Sequence, residues 1–484
     1  MKRIIIIGGG ITGLAAAHRL IELSRATAAN LDVTILEASS SLGGTIHTEY
    51  RDGFVLERGP DSFISEKPEA LELVKRIGLE SELIETNTQH RRSFIVRNGR
   101  LRPVPEGFQL LGPSRLWPFV TSDIFSWTGK ARMALDLLLP RGNTKANPDE
   151  SLAQFVRRRL GREALERMAQ PMVAGIYTAD PERLSLRATM PRFLEMERSD
   201  RSVILGMLKR AGTQNKAETN GTSGARYSLF LSFRGGMQTL VDELSQRLPR
   251  ASVQLNAKVT SLRLDRSSGS WTVNTESGAS ISADAVCIAI PTYAAAQLLQ
   301  ETDSKLSEEL KSISYASTAT VNLAYNRADI PHSLEGFGFV VPFIEKRSLI
   351  ACTFSSTKFP GRAPDGFVLL RAFVGGALQP DMFALDKLQM LQRVQADLRE
   401  LLGIEKAPLF SEVTRWPRSM PQYEIGHLDR VNKIDSHLTQ LPTLKLAGNA
   451  YRGAGIPDCI RSGEQAAEAV TAFLDSKEQQ NRER

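Results

Sequence analysis

The sequence predicts an α/β (α+β) protein with three parts: a Rossmann-like dinucleotide-binding domain, an antiparallel-sheet domain and a helical subdomain. Three observations carry that expectation. The first forty-five residues read as strand, glycine turn, helix, strand and acid. Segments 317–325, 338–342, 348–354 and 366–374 are short β-rich runs that suit an antiparallel sheet. Residues 107–211 carry mostly helical patterns instead.

The opening unit says most. Lys2–Ile7 holds four consecutive isoleucines, a β-branched run suited to a strand buried on both faces. Gly8-Gly9-Gly10-Ile11-Thr12-Gly13 follows as G-x-G-x-x-G, and 14–20 read as a helix. Residues 32–36 form a second apolar strand, closed by Glu37. Each residue type has a task in holding a dinucleotide. Gly8 allows the tight turn, Gly10 lets the backbone approach a pyrophosphate, and Gly13 lets the helix pack close to the strand. The helix N-terminus offers unpaired N–H groups to phosphates, and Glu37 accepts bonds from ribose hydroxyls. The glycine motif alone also fits a plain structural turn. The ordered strand, helix, strand and acid weigh against that reading.

Further along, 68–77 reads as a short helix stopped by Gly78. Residues 90–103 alternate basic and apolar side chains around Asn98-Gly99, a hairpin signature. Arg92 and Arg97 are candidates there for gripping a carboxylate, because a guanidinium matches one bidentately. The alternative is a solvated strand face. Residues 107–139 interleave Trp117, Phe119, Phe125 and Trp127 with Arg115, Lys130 and Arg132. Such a stretch suits a membrane interface or the core of a helical subdomain, and the second is favoured. Residues 151–168 are expected as one helix with Arg157-Arg158-Arg159 on its surface. Gly175 leaves room for a flat ligand or a neighbouring helix. Residues 212–226 read as a mobile loop. A helix over 240–248 and strands over 253–264, 270–276 and 279–289 follow, then a helix over Lys387–Leu402. A strand at 443–447 leads to a glycine turn at 453–455 and a helix from 460. That gives a second helix N-terminus for a cofactor to face.

Composition sets outer bounds. At 484 residues, two or three domains are expected. Charged residues make up 24% and hydrophobic ones 42%, ordinary for a globular protein. The net charge of +7 suits an anionic ligand or membrane surface, but no nucleic-acid module signature is present. Cys287, Cys352 and Cys459 are odd in number and widely spaced, which argues for a reducing compartment. Met1 leads straight into the first strand, so no signal peptide is expected. The six histidines lack metal-ligand spacing, and no metal is expected.

Glu37-Ala38, the second glycine pair Gly43-Gly44 and the segment 50–60 resemble the FAD-binding start of the flavin amine oxidase superfamily. With Gly59-Pro60-Asp61-Ser62, 172–177, 414–423 and Ile456-Pro457-Asp458, nearly the whole chain resembles the oxygen-dependent porphyrinogen oxidases of haem synthesis. It is most similar to the Gram-positive-type coproporphyrinogen III oxidases, with protoporphyrinogen IX oxidases next. The resemblance implies an FAD-binding domain from 1–88, 227–290 and 411–484. It implies a substrate-binding sheet domain over 291–410 and a helical subdomain over 89–211 that offers a surface to a membrane. By that likeness Gly8, Gly9, Gly10, Ile11, Thr12, Gly13, Glu37, Ala38, Gly44, Gly59, Pro60, Asp61, Ser62, Val259, Trp416, Ile456, Pro457 and Asp458 contact non-covalent FAD. Lys67, Arg92 and Gly175 line the porphyrinogen cavity, with Arg97 as a further carboxylate ligand.

The implied reaction is the six-electron oxidation of coproporphyrinogen III to coproporphyrin III with release of hydrogen peroxide. Protoporphyrinogen IX is the alternative substrate. Hydride passes from substrate carbon to the flavin, so no side chain is assigned a catalytic role. Dioxygen is the co-substrate, and ferrochelatase or another haem-pathway enzyme is the implied partner. The implied location is the cytoplasm, with at most peripheral membrane contact. An amine oxidase, a carotenoid desaturase or a non-enzymatic escort-type binding protein would share the scaffold. Trp416 without an aromatic partner counts against the first, and the intact FAD positions count against the last.

Overall fold

The computed structural model describes residues 1–27, 30–142, 149–214 and 230–482. Its first layer is a parallel sheet in the order Val253–Gln254, Leu31–Leu36, Lys2–Ile7, Ala285–Ile288, Leu444–Leu446. The isoleucine run is buried on both faces, as its composition predicts. Ile4 and Ile6 enter one core with the helices Ile11–Thr27, Gln238–Arg247 and Ile456–Arg482. Ile5 and Ile7 enter another, closed by Trp271 and Val273 of a three-stranded antiparallel sheet. Burying each such side chain contributes about 1.5–3 kcal/mol.

The second layer is a seven-stranded sheet. Its order is Phe410–Pro421, Tyr315–Asn326, Phe367–Gly375, Ala351–Phe354, Gly338–Val340, Phe94–Arg97, Arg100–Pro103. All pairings are antiparallel except that of Gly338–Val340 with Phe94–Arg97. One face packs on the helix Lys387–Leu402 through Met390, Val394 and Leu398. The two strands of the hairpin 94–103 and all but the first residue of the strand Phe410–Pro421 fall outside 291–410, yet all three belong to this sheet. The hairpin and the strand Phe410–Pro421 each place an apolar residue on the face that packs on this helix, Val96 and Val413, while Ile95 turns the other way into the helical core.

Several segments differ from their sequence reading. The strands expected at 253–264 and 279–289 are each divided. Val253–Gln254 and Ala285–Ile288 join the parallel sheet, while Val259–Asp265 and Ser280–Ala283 form the antiparallel one. The helix expected over 151–168 ends at Arg159, because Gly161 adopts a φ of +94° and restarts the chain in a new direction. Arg159 is not a surface residue, and Arg158 is only half-exposed. Arg159 is fully buried against Asp136, its Nε 2.6 Å from Oδ1, and Arg158 reaches Glu150 and Glu197. Three consecutive residues step around a helix by about 100° each, so they cannot all face solvent. The final helix begins at Ile456, four residues before the expected start, since Pro457 suits a first turn. Of the expected loop 212–226, residues 212–214 complete the helix Val203–Gln214, and the remainder lies outside the described residues.

The 107–139 segment serves two surfaces. Phe108, Phe119, Phe125 and Met133 join the helical core, while Leu116, Trp117, Trp127 and Leu138 stay exposed. No helix among the described residues is long and apolar enough to cross a membrane.

Candidate flavin and substrate site

The glycine turn sits where Lys2–Ile7 ends and Ile11–Thr27 begins. Gly8 has a φ of +105° and its N–H donates to the Leu36 carbonyl at 2.9 Å. A Cβ on Gly13 would lie 2.0 Å from the Gly8 carbonyl oxygen, so the helix starts in direct backbone contact with the turn. Gly10 differs: a Cβ there would meet only the Gly44 Cα, at 4.0 Å. The second glycine pair lies against the first turn, with Gly43 N–H donating to Gly9 at 2.9 Å. These close backbone approaches beside an open Gly10 fit a dinucleotide pyrophosphate. Glu37 stands beside them. It accepts from Gly9 N–H at 2.6 Å and from Ser39 N–H at 2.8 Å, with Ala38 exposed next to it. Ala257 N–H donates to the Glu37 carbonyl, which brings the strand that opens at Val259 to this end of the sheet.

The segment 59–62 begins against Thr45 and Ile46, just after the second glycine pair. A Cβ on Gly59 would fall 1.6 Å from the Thr45 carbonyl oxygen. Pro60 follows, half-buried. Asp61 is shielded but bonded to Lys358 at 2.9 Å and Ser62 at 2.7 Å. Burial alone would raise its pKa, but the Lys358 and Arg371 charges outweigh it and hold the carboxyl well below the usual range. Trp416 donates its indole N–H to the Arg58 carbonyl at 2.9 Å. Ile11 and Thr12 are buried at the head of their helix. Gly463 meets the Thr12 carbonyl so closely that a Cβ would lie 2.2 Å away. That contact locks the Ile456–Arg482 helix against the first one. Ile456, Pro457 and Asp458 form its first turn, with Asp458 accepting from Arg461 at 2.6 Å.

The four expected substrate residues sit on different elements. Lys67 precedes the helix Pro68–Arg76 and gives its ammonium to Asp458 at 2.5 Å, an internal pairing. Gly175 faces Val340 of the large sheet, 3.9 Å from where its Cβ would be. Arg92 is exposed ahead of the strand Phe94–Arg97, at whose far end Arg97 sits. The two arginines lie five positions apart, up to roughly 17 Å along extended chain, so each would take its own carboxylate. Arg97 lies beside Asn98 and Gly99, whose N–H groups are held by Glu345.

Sequence reasoning missed Arg192. It is half-buried on the helix Pro191–Asp200, its guanidinium 4.9 Å from the Phe193 ring centroid. Burial lowers its pKa, with Glu66 opposing, and no salt bridge holds it among the described residues. A cation in that state suits an anionic ligand. Only its place after Pro191 in an otherwise apolar stretch could have drawn attention to it. The roughly 320 Å³ cavity between 179–184, 314–317 and 422–424 is less suited, since Asp180 and Glu424 outnumber Arg183.

Comparison with known proteins places the chain. The model for flavin containing amine oxidoreductases matches residues 11–471. A coproporphyrinogen III oxidase of Bacillus subtilis (strain 168) is 37% identical, covering 98% of this chain and 99% of that protein. The chloroplastic protoporphyrinogen oxidase of Nicotiana tabacum is 31% identical over 97% of this chain and 85% of its own. A crystal structure from Exiguobacterium sp. 255-15, provisionally named a protoporphyrinogen oxidase, superposes with a TM-score of 0.84. It is 32% identical and covers 97% of this chain and 98% of its own. The chain therefore belongs to the flavin containing amine oxidoreductase family and is a flavin-dependent oxidoreductase.

Proposed function

We propose that this protein binds FAD non-covalently and oxidises coproporphyrinogen III to coproporphyrin III, with dioxygen as acceptor and hydrogen peroxide as by-product. The observation that carries the substrate is the end-to-end match, 98% of this chain, to a coproporphyrinogen III oxidase. Bound FAD would supply the two-electron acceptor, used three times per porphyrinogen. The chain supplies the holding groups. Gly10 and Gly44 admit the pyrophosphate, and the Ile11–Thr27 N-terminus faces its charge. Glu37 would exchange its bond to Gly9 for the ribose hydroxyls. Gly59, Pro60, Ser62, Trp416 and the first turn at Ile456 would border the ring system, and Val259 the adenine. Cys459 is buried, and burial pushes its thiol up to about 12. An unreactive thiol supports non-covalent attachment.

On the substrate side, Arg192, Arg92 and Arg97 would each meet a separate propionate, with Gly175 against the macrocycle. Lys67 would serve mainly through Asp458. A haem-pathway enzyme such as ferrochelatase would receive the product in the cytoplasm. Exposed Trp117 and Trp127 would give at most peripheral membrane contact. The test is turnover by the FAD-loaded protein on coproporphyrinogen III, protoporphyrinogen IX and an amine panel, read by porphyrin fluorescence and peroxide. Coproporphyrinogen III should give the highest kcat/KM. A higher value for protoporphyrinogen would shift the assignment to that substrate. Turnover of amines alone would overturn it.

A further inference from the structure

One face of the large sheet is apolar, and the middle of the other carries polar side chains that hold one stretch of backbone. Register places Trp416 opposite Thr318 and Arg371 opposite Asn322, with Thr320 between them. Asn322 donates to the Glu57 carbonyl at 3.1 Å, and Thr320 to the Arg58 carbonyl at 3.0 Å. Trp416 also donates to Arg58, at 2.9 Å, and Arg371 donates to Gly59. Three successive carbonyls are therefore gripped from one side by side chains of three adjacent strands. The far side of the same stretch lies on Thr45, Ile46 and His47, the residues that follow the glycine pair next to Gly10.

This arrangement is a costly way to join two layers. Arg371 is 4% exposed and Asn322 1%, and each keeps one buried polar atom without a partner, Nε and Oδ1. An apolar contact would stabilise the junction as well or better. What polar grips give instead is a fixed backbone geometry.

We propose that Arg371, with Asn322 and Thr320, is a positioning set for the oxidation, fixing the 57–59 carbonyls so that 59–62 meets the flavin in one arrangement. This rests on the reading that 59–62 borders the cofactor. Arg371 and Lys358 both face Asp61 on that loop, so the group carries a net positive charge, which would favour the more electron-rich reduced flavin.

The test uses Arg371→Met, Arg371→Lys and the milder Thr320→Val in the FAD-loaded protein. Arg371→Met should cut kcat at least roughly tenfold while KM for porphyrinogen stays within about threefold. Its flavin midpoint potential should move negative, and Arg371→Lys should recover much of that shift. Thr320→Val should lower kcat a few-fold, and it carries the test if Arg371→Met does not fold. Wild-type potential and kcat in the variants that fold would overturn the proposal. Hydrogen exchange over 57–64 in the wild type, with and without FAD, separates the two layers of the argument. Protection by FAD combined with unaffected variants sinks the positioning role alone. No protection sinks the reading beneath it.

Discussion

Replacing Gly10 by alanine should separate cofactor binding from folding. The added Cβ meets nothing nearer than the Gly44 Cα at 4.0 Å, an ordinary contact. Gly10 also lies outside the positive-φ region that favours glycine. The flavin-free variant should therefore fold with stability within about 1 kcal/mol of wild type. FAD should suffer, because the methyl occupies the space through which the pyrophosphate reaches the backbone. Losing one charge-assisted bond removes about 1.5–3 kcal/mol, or roughly ten- to a hundredfold in Kd. Gly13→Ala is the control of opposite kind. Its Cβ would stand 2.0 Å from the Gly8 carbonyl oxygen, so the helix must shift, at about 1–3 kcal/mol of folding stability. Urea unfolding of the flavin-free proteins and fluorescence titration with FAD measure both quantities. Gly10→Ala with FAD affinity within threefold of wild type would refute this placement of the pyrophosphate.

Glu37→Gln should weaken FAD binding by about 1–2 kcal/mol in the same titration, since a charged acceptor becomes a neutral one. Arg192→Ala should raise KM for coproporphyrinogen by about 2 kcal/mol, roughly thirtyfold. Exposed Arg92→Ala should cost no more than about 1 kcal/mol, and the reverse order in steady-state kinetics would move the anionic subsite to the hairpin. His18, His332 and His427 have pKa values lowered chiefly by burial. Their neutral forms favour the fold, so the contribution is full above about 6.5, the unfolded value, and falls below it. Thermal unfolding between pH 7 and 5 should show a falling Tm, and replacing His427, stacked 4.0 Å from Tyr423, by phenylalanine should flatten the slope. Asp136→Ala leaves the fully buried Arg159 with Glu197, at 3.5 Å, as its remaining carboxylate and should lower unfolding free energy by about 3 kcal/mol in urea titration. A loss below 1 kcal/mol would mean that the arginine finds water.

The fold was legible wherever local pattern and tertiary role coincide. The Ile4–Ile7 run reads as a doubly buried strand because no polar residue interrupts it. The helix Lys387–Leu402 is bounded by Asp386, which caps it, and by Gly403 in the left-handed region. Partition between sheets was not legible, since Ala283 and Ala285 differ only in which neighbour they pair with. The arginine run 157–159 misled for a related reason, because the buried Asp136 partner lies 23 residues away. At the site, the glycine motifs announce backbone approaches through their composition. Arg192 and Arg371 gave weaker signs. A lone arginine in the strand Phe367–Gly375 marks a buried cation, but not the carbonyl it serves.

The most direct measurement is anaerobic mixing of the FAD-loaded protein with coproporphyrinogen III while the visible flavin band is followed. The band should bleach at a rate at least equal to kcat, and return when dioxygen is admitted, with hydrogen peroxide formed. A band that stays unbleached while porphyrin accumulates would contradict it, because the electrons would then be leaving the substrate by a route other than the flavin.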